Sequence, residues 1–99
     1  MLYYVTMARH LSVGYARSVT HSLQVVDTEN TYICPNLALQ HVSESDVGRD
    51  WLKELRFDLL CACDAVLIVS SMDDMVADEV ELAKKLQMEV RYLGDNQPI

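Results

Sequence analysis

The chain has 99 residues, carries 15 acidic side chains against 8 Lys and Arg for a net charge of −7, and is 51% hydrophobic. That is enough chain for one domain, residues 1–99, which hides about two-thirds of its unfolded surface and leaves no room for a second core or a large private cavity. The charge excludes polynucleotide backbone and anionic membrane surfaces as partners, because both are held by Lys/Arg clusters that this sequence lacks.

Leu2 to Thr6 is a short run rich in Tyr and Val and reads as a buried first strand. Over 12–27, Ala16, Val19, Leu23 and Val26 recur at i, i+3, i+7 and i+10, one stripe of a helix. Thr31 to Cys34 is the second strand, ended by Pro35-Asn36. After an irregular stretch through His41 and Ser45, Asp46 is placed to cap a second helix with the stripe Leu52, Leu55, Leu59 and Ala62, closed by Asp64. Ala65 to Ser70 is apolar up to its final Ser, the pattern of a strand covered on both faces. A third helix is expected over about 74–87, a last strand over Glu89 to Leu93, and a tail from Gly94 to Pro98.

Strands alternating with one-faced helices imply right-handed crossovers, and so a four-stranded parallel sheet in a three-layer α/β domain. Ligands in such sheets sit beyond the carboxyl ends of the strands. The loops after Thr6, Cys34 and Ser70 are therefore the ones to examine. The longest apolar run, Ala65 to Val69, is far shorter than a membrane span, and Met1 to Tyr4 shows neither a basic start nor a cleavage site, so a cytoplasmic location is expected. Cys34, Cys61 and Cys63 are odd in number and lack the second pair or nearby His of a zinc site. His10, His21 and His41 are scattered, and Gly14, Gly48 and Gly94 are too far apart for a phosphate loop, so neither a metal nor a cofactor is expected.

One carboxylate breaks the pattern. Asp78 and Glu81 lie on a solvated helix face, with Lys84 and Lys85 in reach of Glu81. Glu79 instead has Met75, Val76, Leu82 and Ala83 as its neighbours one turn either way, inside the apolar stripe. A charge there must be solvated by a cleft, paired, or shifted in pKa. Two readings are open on spacing alone: a nucleophile or general base facing the ligand crevice, or a carboxylate favoured by the helix N-terminus or edging out to solvent. Asp73, six residues earlier, either completes a carboxylate pair for acid and nucleophile roles or simply caps the helix.

Tyr4-Val5-Thr6-Met7, Cys63-Asp64-Ala65-Val66-Leu67-Ile68 and Glu79-x-x-x-Ala83-x-x-Leu86 resemble the nucleoside 2-deoxyribosyltransferase-like superfamily, in particular its short bacterial and phage branch. Ile33-Cys34-Pro35 and Val90-Arg91-Tyr92-Leu93 agree with it too, so the resemblance runs over most of the chain. It implies a flavodoxin-like fold and cleavage or exchange at the N-glycosidic bond of a deoxynucleoside or its 5′-monophosphate. Glu79 would be the nucleophile, Tyr4 would orient it, and Asp73 would assist the leaving base. The surrounding loops offer Thr6, Met7, His10, Ser70 and Ser71 as substrate-binding candidates.

The sequence also departs from the family pattern. Met75 occupies a position usually held by glycine, Thr6-Met7-Ala8 replaces a glycine-containing turn, and Arg56 stands where many members place an acid. Asp73 replaces a Ser that touches the 5′-phosphate in nucleotide-cleaving members, which favours an uncharged nucleoside. A catalytically inactive binding or protein-interaction module is the alternative. A homo-oligomer is expected on either reading, since relatives assemble and 99 residues leave little wall for a closed site.

Overall fold

The structure, a computed structural model, describes residues 1–93; the expected tail from Gly94 lies outside them. Four strands, β1 (Leu2–Thr6), β2 (Thr31–Ile33), β3 (Ala65–Ile68) and β4 (Glu89–Tyr92), form an all-parallel sheet in the order β2-β1-β3-β4. Between them run α1 (Val13–Val26), the short α2 (Pro35–Ala38) and α3 (Glu44–Val47), then α4 (Arg49–Cys61) and α5 (Asp74–Lys85). This is a small three-layer, flavodoxin- and Rossmann-like α/β arrangement.

Strand alternation sends odd and even side chains to opposite faces. Tyr3, Val5, Ala65 and Leu67 meet Ala16, Val19 and Leu23 of α1 on one side. Tyr4, Val66 and Ile68 meet Leu60 of α4 and Val76, Val80 and Ala83 of α5 on the other. Each buried Val, Leu or Ile stabilises the sandwich by about 1.5–3 kcal/mol, and the two central strands supply four of them, Val5, Val66, Leu67 and Ile68. Asp64 fixes their register, its backbone N–H donating to Leu2 O at 2.8 Å and its carboxylate accepting from Leu2 N at 2.7 Å.

Four expectations need correction. Val26 is 86% exposed, so the α1 stripe ends at Leu23. Cys34 leaves β2 to become the N-cap of α2, where Pro35 takes the first-turn position that suits its fixed φ. Asp46 does not cap the long second helix: it completes a capping box with Ser43 that starts the separate α3. On α4 the buried line is Leu52, Arg56 and Leu60, with Leu55 and Leu59 half-buried and Ala62 exposed, so the packed face is rotated from the expected stripe.

The break between α3 and α4 is Gly48, at φ 84° and ψ 156°, a backbone region essentially confined to glycine. A Cβ there would meet nothing within 4 Å, so a substitution is opposed by backbone conformation and not by packing. Gly48→Ala is expected to lower unfolding free energy by about 1–3 kcal/mol with native secondary structure retained, measured by urea denaturation followed by circular dichroism.

Candidate functional site

The strand order reverses between β1 and β3, so a crevice is expected where the loops after them diverge. Side chains from both loops bridge it. Ser70 Oγ accepts from Ala8 N at 2.8 Å and donates to the Ser71 carbonyl at 2.8 Å. Asp73 caps α5, accepting from Val76 N at 2.9 Å, while its second oxygen takes the backbone N–H of Arg9 at 2.9 Å and Arg9 Nε at 3.3 Å. Arg9 also reaches Glu44 of α3 at 2.5 Å and Asp74 at 2.7 Å.

Beneath this bridge lies Glu79, with no exposed surface. Its Oε1 accepts from Thr6 Oγ1 at 2.8 Å and from Arg56 Nη2 at 2.8 Å. Oε2 accepts from Arg56 Nε at 3.1 Å and from the Tyr4 hydroxyl. Arg56, 3% exposed, also donates to Thr6 Oγ1 at 3.1 Å. A carboxylate offers about four lone-pair positions, and here each oxygen has two donors. The bidentate fork is the strongest common arrangement for an Arg–carboxylate pair.

Electrostatics agree with the geometry. Burial works against the Arg56 charge, but the Glu79 carboxylate and its hydrogen bonds more than offset that and hold the guanidinium above its ordinary pKa. Burial, reinforced by the Glu79 charge, pushes the Tyr4 hydroxyl well above the usual tyrosine range, so it stays a donor. Burial alone would raise the Asp73 pKa, yet the N–H donors of Arg9 and Val76 and the Arg9 guanidinium lower it overall. A carboxylic acid held ionised in this way is poorly suited to protonate a departing base.

The structure thus brings Tyr4, Thr6 and Glu79 together and places Asp73 at the rim of the same edge. Met7 is fully buried in the core on the α1 side, while His10 and Ser71 are exposed. Ser70 serves the loop bridge. None of these predicted ligand contacts lines the open cleft nearby, of about 230 Å³, which lies between Arg9, Leu11 and Val13, the α2 residues Pro35 and Asn36, and Leu52 and Arg56 of α4. Arg56, Arg9 and Asn36 are the residues missed. A signal for Arg56 was present: it sits four residues from Leu52 and from Leu60, an opposite charge in a second apolar stripe.

Among the described residues no group of three or more His, Cys, Asp or Glu is placed to hold a metal ion, and no helix is long and apolar enough to cross a membrane. Cys34 and Cys63 are buried and Cys61 is exposed, all as free thiols; burial raises the Cys63 pKa to about 11. No family model, no curated protein and no solved structure matches the chain.

The lowered Asp73 pKa has a defined pH signature. Its contribution to stability is fully present above the unfolded value of about 3.9 and is lost as pH falls through the lower folded value. Asp73→Asn keeps an N-cap acceptor but removes the charge. Screened by solvent, the loss is expected to be about 0.5–1 kcal/mol between pH 5 and about 8. Urea unfolding of the two proteins across pH should show that difference shrinking below about pH 4.

Proposed function

We propose that this chain is a non-catalytic binding module, built on a framework like that of the nucleoside 2-deoxyribosyltransferases, which takes a small nucleoside-sized ligand without cleaving it. The observation that carries this reading is the saturation of Glu79: both oxygens are engaged by Thr6, Tyr4 and the Arg56 fork, and none of its surface is exposed. Attack on an anomeric carbon needs a free carboxylate lone pair aimed at the substrate within about 3–3.5 Å. Freeing one here would break a buried ion pair, which opposes the covalent step that the family pattern implies.

Support for a ligand comes from the cleft above Arg56. Its walls are apolar at Leu11, Val13, Leu39, Val42 and Leu52, and Asn36, Gln40, Glu44 and the two guanidinium groups give it both donors and acceptors. A pocket that combines apolar walls with convergent polar groups suits a planar heterocycle whose edge carries both donors and acceptors. Glu44 lines this cleft, and Asp73 and Asp74, outside its lining, pair with Arg9 as well, so the acids gathered around Arg9 disfavour a phosphate and favour an uncharged nucleoside.

The test is a panel of deoxynucleosides, ribonucleosides and their 5′-monophosphates, read by thermal shift and by chromatography of released bases. A binding ligand at ten times its Kd should raise Tm by about 5–10 °C and be recovered intact. Base release that disappears in Glu79→Ala would overturn the proposal in favour of glycosidic chemistry, and absence of any stabilisation would remove the ligand.

A further inference from the structure

The two edges of the sheet are finished differently. On β2, Thr31 N donates to Met1 O, so Thr31 and Ile33 turn their backbone groups to β1, and the Tyr32 N–H and Asn30 carbonyl face outward. Gln24 of α1 covers that edge. Its Oε1 accepts from Tyr32 N at 3.0 Å and its Nε2 donates to Asn30 O at 2.7 Å, standing in for the next strand.

The outer edge of β4 has no such cover among the described residues. Leu93 N donates to Ile68 O at 2.9 Å, which in this register turns the backbone groups of Glu89 and Arg91 inward to β3 and those of Val90 and Tyr92 outward. An edge of this kind is a template for a further strand. Side chains alternate along it. Glu89 and Arg91 are exposed on the α1 side, paired with each other at 2.7 Å, and Val90 and Tyr92 are half-buried on the α5 side.

We propose that β4 is a self-association edge, pairing antiparallel with β4 of a second copy of this chain about a two-fold axis through Val90. In that register Val90 exchanges both backbone hydrogen bonds with the partner's Val90, and each Tyr92 N–H donates to the Met88 carbonyl across the axis. Met88 N is already committed to Ala83 O at 2.9 Å, which leaves its carbonyl as the acceptor. Glu89 then stands opposite the partner's Arg91, and Arg91 opposite the partner's Glu89, giving an alternating quartet with the existing intrastrand pairs. Centring the axis on Glu89 or Arg91 would oppose like charges, which is unfavourable for directly facing residues. The same two-fold keeps both α1 helices on one face, so the layers continue across an eight-stranded sheet.

A contact of four or five residues on each side is at the small end of specific interfaces, so dimerisation is expected to be concentration-dependent, with Kd on the order of 10–100 μM. Sedimentation equilibrium of the full chain should show the mass rising with concentration from 11.3 kDa toward twice that value. Glu89→Arg sets four cations against one another and should raise Kd about tenfold or more, with circular dichroism confirming the fold. The swap Glu89→Arg/Arg91→Glu restores the alternation and should bring Kd back to within about threefold of wild type. In the wild-type chain, amide exchange at Val90 should slow as concentration rises while that at Tyr32 does not, a readout independent of any variant. A mass fixed at 11.3 kDa up to about 1 mM, association unaffected by Glu89→Arg, or exchange at Val90 independent of concentration would each overturn the proposal.

Discussion

Everything on the carboxyl-terminal edge of this sheet is arranged around the ion pair between Arg56 and Glu79. Each charge comes from an otherwise apolar helix face, one from α4 and one from α5, and they meet beside Tyr4 and Thr6 of β1. Removing two charges from water costs several kcal/mol per ion, and only near-ideal geometry with further hydrogen bonds offsets it. Both conditions hold here. Because the fork fits only when the two helices and the strand are mutually placed, the pair links three elements at one point and sets how closely α4 and α5 approach.

The consequence for function follows from the same geometry. On the proposed reading Glu79, with four donors on its carboxylate, serves as an anchor, whereas a nucleophile needs an unoccupied lone pair facing its substrate. The bonds that Ala8 N donates to Ser70 and Arg9 N donates to Asp73 extend this closure across the switch point of the sheet. What remains open is the cleft on the other side of Arg56, over α2 and α4. Arg56 thus has two faces, one sealing Glu79 and the other forming part of a pocket wall.

Much of the fold was legible in the sequence because its signals are local. β1 came out with its boundaries intact, and β3 was recognisable from continuous burial on both faces. The unusual position of Glu79 was equally plain, since helical spacing places it among Met75, Val76 and Ala83 whatever surrounds the helix. Its partner was harder to read. Arg56 stood out as a departure from a family pattern, but that it answers Glu79 depends on α4 and α5 lying side by side, a tertiary fact no single segment carries. The rotated face of α4 has the same origin, for a stripe drawn through leucines alone passes over the arginine that the packing buries. The long helix starts at Gly48 and not at the expected Asp46, because a φ of 84° is a conformational choice that composition leaves open.

The most direct test of the central claim is a double-mutant cycle on unfolding free energy with Arg56→Met, Glu79→Met and the combined variant, followed by urea denaturation. Each single change strands a buried partner and should cost about 3–5 kcal/mol, while the double variant should lose at least about 2 kcal/mol less than the sum. Additivity within about 0.5 kcal/mol would contradict the account, because it would mean that Glu79 does not depend on Arg56.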